Sequence, residues 1–256
     1  MFSHRADCMG TVFLFQIQDQ IPDGELLRQC QVAVEILDQA DETFSLYKTE
    51  SEISRLVSGE LSWDRASGVQ RSVREMALLW QATTAGHFNP RVGSDYDPSG
   101  LVKGWAAQNA AQYLEANGIR NFTLNAGGDI YLSSALEKSI LTRVGLANLK
   151  PIAAEDAGVN LILELANTGY QAVATSGTAE RGEHVWRSSS SSAFQQVTVV
   201  AKDLITADVW ATALLSGGQS AWEVFCTAEN DMVGFGVFED GSMVASRGFS
   251  SLLGNH

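Results

Sequence analysis

Apolar positions along the chain change their period several times, and those changes mark out its elements. Thr11 to Ile17 (TVFLFQI) is rich in β-branched and aromatic residues and predicts a first strand. Pro22 suits a first helical turn, where a missing N–H costs nothing. Leu26, Leu27, Cys30, Val34 and Leu37 then recur at helical spacing and predict a helix over 22–40. Ser51 reads as the cap of another short helix. Val69, Val73, Met76, Ala77 and Trp80 predict a helix over 67–84. A helix over 101–117 follows, with Asp97 and Ser99 as cap candidates, one apolar face through Val102, Ala106, Ala110, Tyr113 and Leu114, and Gly118 as its stop. Phe122 and Leu124 alternate as a strand does, and Gly127-Gly128 breaks it. Further strands are predicted at Thr142–Leu146, Val159–Leu165, Ala172–Gly177 and Gln196–Ala201. A helix over 205–216 ends at Gly217-Gly218, and a hairpin from Val233 to Ser246 turns at Asp240-Gly241. Helices beside largely antiparallel strands make the class α+β, in a single domain spanning 1–256.

With 256 residues the chain has room for one large domain or two sharing a core. A net charge of −13 argues against a nucleic-acid partner, which needs a basic patch. It leaves room for an anionic ligand at a locally positive site. Cys8, Cys30 and Cys226 are widely spaced and suggest neither a disulfide framework nor a zinc site. No apolar run is long enough for a transmembrane segment, and no apolar signal region is visible at the start, so a cytoplasmic location is expected.

Several short motifs carry more information than the periodicity. Asp97-Pro98-Ser99-Gly100-Leu101-Val102-Lys103-Gly104 is D-x-x-G-x-x-K-G opening a helix, and Asn125-Ala126-Gly127-Gly128-Asp129 follows about twenty residues on. Phe44-Ser45-Leu46-Tyr47 leads into Ser51-Glu52-Ile53, and Gly86-His87-Phe88-Asn89-Pro90 precedes the D-x-x-G motif. Ala172 to His184 reads A-x-A-T-S-G-x-x-E-R-x-x-H, and Ala207-Asp208 with Thr212 reads A-D-x-x-x-T. Together these resemble the ApbE family of FAD:protein FMN transferases, from Met9 to Phe249. The resemblance implies a T-fold-like domain. It also implies an activity: magnesium-dependent transfer of FMN from FAD to a Ser or Thr hydroxyl of an acceptor flavoprotein, with release of AMP.

The same resemblance assigns roles. Met9 packs on the flavin nucleotide, and Tyr47, Asp97, Lys103, Gly127, Gly128, Thr175, Ser176, Gly177 and Trp186 contact FAD. His184 takes the proton of the acceptor hydroxyl. Gly100, through its carbonyl, binds Mg²⁺ with Asp208 and Thr212. Elementary chemistry agrees at several points. Lys103 lies near a helix start, where the backbone already favours a pyrophosphate. Asp208 and Thr212 are four apart and share a helix face, and oxygen ligands suit a hard cation that keeps waters and bridges phosphates. From spacing alone a second reading stays open, in which Asp208 complements the helix dipole and Thr212 fills core. Lys103 alone would read as solvated, His87 as structural, and a Ser176–His184 hydrolase dyad lacks the G-x-S-x-G elbow.

The chain departs from the family's pattern in four places. Only Ser94-Asp95-Tyr96 stand before the D-x-x-G motif, where longer members insert a flavin-contacting segment; in this the chain resembles a short bacterial subfamily. Arg91 stands where many members have Thr, and Ala211 where many have a second acid. Five serines, Ser188 to Ser192, replace an Asp-Pro-x-Thr-Gly loop. Three further readings stand beside the transferase: an FAD pyrophosphatase, with water as acceptor; a flavin-binding module without turnover, which the serine run and Ala211 favour; and a structural protein with a vestigial site.

Overall fold

Strand β1 (Phe2–Cys8) opens the chain and folds back on β2 (Thr11–Ile17) through a two-residue turn, with Cys8 opposite Thr11. Met9 and Gly10 both have positive φ, 51° and 70°, the geometry that matches the twist of the flanking strands. The hydrophobic pattern missed β1, because only Cys8 in it is buried; it is an edge strand held by its ladder. The computed structural model describes residues 1–92, 95–136, 140–149, 159–178, 193–228 and 231–254.

Helices α1 (Asp23–Phe44), α2 (Glu52–Val57) and α3 (Gly68–Thr83) follow. Ser51 caps α2 as expected, its hydroxyl accepting the Ser54 N–H at 3.1 Å. A small ribbon of β3 (Arg91–Val92) and β4 (Asp95–Tyr96) leads into α4 (Ser99–Ala116). Strands β5 (Phe122–Ala126) and β6 (Asp129–Leu132) form a hairpin. After them come β7 (Arg143–Leu149), β8 (Val159–Glu164), β9 (Ala172–Gly177) and β10 (Phe194–Ala201). Helix α5 (Leu204–Thr227), β11 (Met232–Phe238) and β12 (Met243–Ala245) complete the order.

Among the described residues, eight strands form one sheet in the order β1-β2-β5-β6-β9-β10-β11-β12, with every neighbouring pair antiparallel. Alternation along each strand gives the sheet two apolar faces. Phe13, Phe15, Phe122, Leu124, Ala172, Ala174 and Val199 meet the helices. Leu132, Val173, Val200, Val233 and Phe235 meet the β7–β8 ribbon and a 3-10 turn at Phe249–Leu252. The architecture is α+β, as the pattern predicted.

Two expectations about helices need correction. Helix α4 buries more than one face: Leu101, Ala106, Ala107, Ala110 and Ala111 are all inaccessible. It packs between α1 and α5, and its alanines let those neighbours approach on both sides. Helix α5 does not end at Gly217-Gly218. Gly218 takes a non-helical conformation at φ 58°, and the helix then resumes. Ala221, Trp222 and Phe225 rejoin the core after the kink, which is why the chain stays helical.

Candidate active site

Helices α4 and α5 run antiparallel, and two glycines one turn apart bring them close. A Cβ on Gly100 would lie 2.9 Å from Thr212 Cγ2, and one on Gly104 would lie 3.0 Å from Asp208 Oδ2. Further along, Gln108 Oε1 accepts the Leu204 and Ile205 N–H groups at 2.9 and 3.2 Å, so α4 satisfies donors at the start of α5. Asp203 caps α5, accepting the Thr206 N–H at 2.9 Å. That leaves Asp208 no role as the cap. It lies one turn inside, 1% exposed, with Oδ2 accepting the Gly104 N–H at 3.0 Å.

Thr212 sits one turn beyond Asp208 on the same face. Its Oγ1 is buried and has no hydrogen-bond partner, although a helical threonine can bond the carbonyl four residues back. A buried orphan hydroxyl costs free energy and calls for an explanation. Among the described residues no three His, Cys, Asp or Glu gather as a metal-binding group. The donor set here is different: one carboxylate, one hydroxyl and the backbone at Gly100. All are oxygens, and the set fits a hard cation such as Mg²⁺.

The sheet supplies the other side of the cluster. Gly127 and Gly128 form the two-residue β5–β6 turn with φ of 60° and 100°. A side chain at Gly127 is excluded twice, by its φ and by Thr11 Oγ1 at 2.2 Å from a would-be Cβ. This turn therefore nests against the start of β2, just after Met9, and its Gly127 N–H donates to the Val12 carbonyl at 3.0 Å. Asp129 follows directly. It is 1% exposed, and its Oδ1 accepts the Thr175 N–H at 3.0 Å. The Lys103 ammonium from α4 sits against Asp129 Oδ2 and lies 3.9 Å from Asp208 Oδ1. Burial, with the Asp208 charge adding to it, pushes the Asp129 carboxyl up to about 6, against the opposing pull of Lys103.

The residues singled out in the sequence fall into three groups. Gly100, Lys103, Asp208 and Thr212 come together on facing helices, with Gly127 and Gly128 at the sheet corner beside them. Ser176 lies at the end of β9 on the helix face, 2% exposed, its Oγ without a partner. Thr175 does not join it: alternation turns Thr175 to the opposite face, where its hydroxyl pairs with Thr198 Oγ1 at 2.9 Å. Only the Thr175 backbone reaches the cluster. Gly177 ends the strand, and Met9 is half-buried in its turn.

Asp97 is half-buried before α4, its Oδ1 accepting the Ser99 N–H at 2.9 Å, so Ser99 is the first helical residue rather than the cap. Tyr47 stands 84% exposed after α1, outside the buried cluster, beside a surface hollow of about 700 Å³ lined in part by Lys48, Arg55 and Arg65. His87 packs against Gly217 of α5, in keeping with a structural part. His184 and Trp186 lie outside the described residues, as does the serine run. The residue that the sequence reading underused is Asp129. Its signal was present, an acid closing N-A-G-G-D, but nothing in the sequence said that its carboxylate would meet Lys103.

Comparison with known proteins points one way. The model of the ApbE family matches residues 94–234, more than half of the chain. An FAD:protein FMN transferase of Vibrio cholerae serotype O1 is 28% identical over 135 residues, which are 48% of this chain and 39% of that protein. The chain thus matches well under half the length of that curated relative. The flavin transferase ApbE from Vibrio cholerae shares the fold with a TM-score of 0.78 at 21% identity, covering 98% of this chain and 99% of that one. The apo form of Pseudomonas stutzeri flavinyl transferase ApbE gives 0.77 at 18%, covering 100% and 97%. The ApbE protein from Thermotoga maritima gives 0.75 at 18%, covering 99% of both chains. On the match of the family model over more than half its length, the chain belongs to the ApbE family.

Proposed function

We propose that the chain is an FAD:protein FMN transferase. In the reaction, a Ser or Thr oxygen of an acceptor flavoprotein attacks the FMN phosphorus of FAD. The pyrophosphate bond breaks, AMP leaves, and the hydroxyl proton passes to a base. Membership of the family and the name of the Vibrio relative support this reading. The observation that carries it is the orphaned Thr212 Oγ1 beside buried Asp208, opposite Gly100.

Asp208, Thr212 and the Gly100 carbonyl would hold Mg²⁺. When bound, the ion would supply charge neutralisation at the phosphoryl group and at the departing AMP. Lys103 would lie against the pyrophosphate as a point charge. Gly128 and Gly177, without side chains, would let the nucleotide come close to the backbone, Gly127 would hold the turn against β2, and the orphaned Ser176 hydroxyl is available to the nucleotide. Met9, Tyr47, Asp97 and Trp186 would line the FAD, with the Thr175 backbone rather than its side chain as the contact. His184 is the base in this reading. Among the described residues no helix is long and apolar enough to cross a membrane. We place the reaction in the cytoplasm; what supports this is that Cys8, Cys30 and Cys226 are all free thiols.

Of two other readings, an FAD pyrophosphatase and a flavin-binding module, the module is favoured by one observation. Ala211 leaves Asp208 as the sole carboxylate of the proposed set. One experiment separates the three. Purified protein is mixed with FAD and Mg²⁺, with and without an acceptor carrying a Ser or Thr site. Transferase activity gives acceptor-dependent AMP and covalent flavin on the acceptor. AMP without acceptor means hydrolysis, and bound FAD without AMP means a module; either would displace the transferase reading.

A further inference from the structure

Two buried carboxylates share one ammonium in an uneven way. Asp129 begins β6 and Asp208 lies on α5, each 1% exposed. Each has one oxygen fixed by a backbone N–H from another element: Thr175 holds Asp129 Oδ1 at 3.0 Å, and Gly104 holds Asp208 Oδ2 at 3.0 Å. Each turns its second oxygen toward Lys103. The ammonium is in contact with Asp129 and 3.9 Å from Asp208. One positive charge faces two negative ones, and its position decides which carboxylate is neutralised.

We propose that Asp129 is a positioning residue: it draws the Lys103 ammonium to itself and so sets how tightly Asp208 binds a divalent cation. This rests on the reading of Asp208 and Thr212 as a cation site. The argument is competition. An ammonium and a dication at the same carboxylate repel each other, and in a buried site that repulsion is weakly screened. With Asp129 ionised, the ammonium has a nearer partner, and Asp208 keeps its charge for the cation. With Asp129 neutral, the nearest carboxylate left to Lys103 among its ion-pair partners is Asp208. The site then enters the competition already occupied.

The test is a titration of Mn²⁺ into purified protein without FAD, with free Mn²⁺ read by electron paramagnetic resonance. Asp129→Asn keeps the shape and the acceptor for the Thr175 N–H, so the sheet corner is retained. We expect it to raise the Mn²⁺ dissociation constant about tenfold, the scale seen when a partner behind a metal ligand is removed. Lys103→Met should bind Mn²⁺ no more weakly than wild type. Asp129→Asn in the Lys103→Met background should have no further effect, because its action passes through the ammonium. A tenfold loss that persists in that background would mean simple loss of a nearby negative charge, and would overturn the proposal. So would unchanged binding by Asp129→Asn, or weaker binding by Lys103→Met, which decides the matter alone if Asp129→Asn does not fold. Wild type that binds no Mn²⁺ overturns the cation site together with this inference. Wild type that binds Mn²⁺ while Asp129→Asn is unaffected overturns this inference and leaves the site standing.

Discussion

Two lysine–aspartate pairs lie beside residues that the sequence singled out, and they differ in almost everything but chemistry. Lys48 meets Asp41 next to Tyr47, with side chains 50% and 19% exposed. Lys103 meets Asp129 with side chains 17% and 1% exposed. The exposed pair raises the Lys48 ammonium through its hydrogen bond to Asp41, yet water screens it and it holds little of the fold together. The buried pair is different: the carboxyl of Asp129 remains raised to about 6, so its partner does not fully offset the loss of solvent. A fold gains little stability from such an arrangement. Buried charges with a shifted carboxyl, one helix turn from a buried hydroxyl without a partner, single out this cluster as the candidate functional site. The exposed pair marks only a surface.

The sharpest way to break that contrast is to remove Asp208. It is the one carboxylate of the proposed cation set, and Ala211 supplies no substitute. Under the transferase reading, Asp208→Ala should lower AMP release about a hundredfold or more and abolish its dependence on Mg²⁺, since only neutral oxygens remain. Affinity for FAD should fall less, because contacts to the rest of the nucleotide persist. The control is Asp203, which caps the same helix. Asp203→Ala should cost about 1 kcal/mol in thermal or denaturant unfolding while leaving the Mg²⁺ dependence in place. An Asp208→Ala protein with wild-type Mg²⁺ titration would remove the cation site from the cleft.

A smaller effect tests the burial of Asp129 itself. Its carboxyl is raised in the folded protein, from an ordinary 3.8 to about 6. Folding therefore takes up a proton in that window. The stability this confers is fully present below the unfolded value near pH 4 and is lost as pH rises through 6. Asparagine mimics the protonated form at every pH. Relative to Asp129→Asn, wild type should thus lose on the order of 3 kcal/mol between pH 4 and pH 7. Lys103→Met removes the group that holds the carboxyl down, and should extend the loss to higher pH. Thermal melts of the three proteins at pH 4.5, 6 and 7.5 measure this. Parallel pH profiles for wild type and Asp129→Asn would show that Asp129 does not titrate there.

The strands and helices with strong apolar periods were legible in the sequence, and Gly100, Lys103, Asp208 and Thr212, picked out by their motifs, do come together in the fold. Local rules read Ser51 as a cap, Gly118 as a stop and Asp240-Gly241 as a turn, because each is fixed by neighbours within a few residues. Strand β1 was illegible, since an edge strand with polar alternating residues has no hydrophobic run. The continuation of α5 past Gly218 was hidden for a related reason: two glycines signal an end, and only the core's demand for Trp222 and Phe225 restores the helix. At the site, spacing placed Asp208 and Thr212 on one face but could not choose between a metal ligand and a complement to the helix dipole. The cap is Asp203, through a local bond to the Thr206 N–H three residues on, while the burial of Asp208 against Gly104 takes tertiary context to see. The Lys103–Asp129 contact joins residues of two different elements, and no local pattern encodes it.

The smallest effects belong to the exposed pair, and they ask whether its surroundings matter to the nucleotide at all. Tyr47 is 84% exposed, so Tyr47→Ala removes little packing and should melt close to wild type. If its ring lies on FAD, as the resemblance implies, the same substitution should weaken FAD binding about tenfold, the scale of one lost stacking contact. Lys48 lies one residue on, and lines the hollow beside it. Lys48→Ala breaks only a screened pair and should leave the melting temperature within about 2 °C of wild type. Fluorescence titration of FAD against both variants, with melts alongside, separates a binding surface from a bystander. Loss of affinity in Tyr47→Ala with an unchanged melt extends the site outward from the buried cluster to this turn. Unchanged affinity in Tyr47→Ala would confine nucleotide recognition to the buried side, where Lys103 and the sheet corner stand.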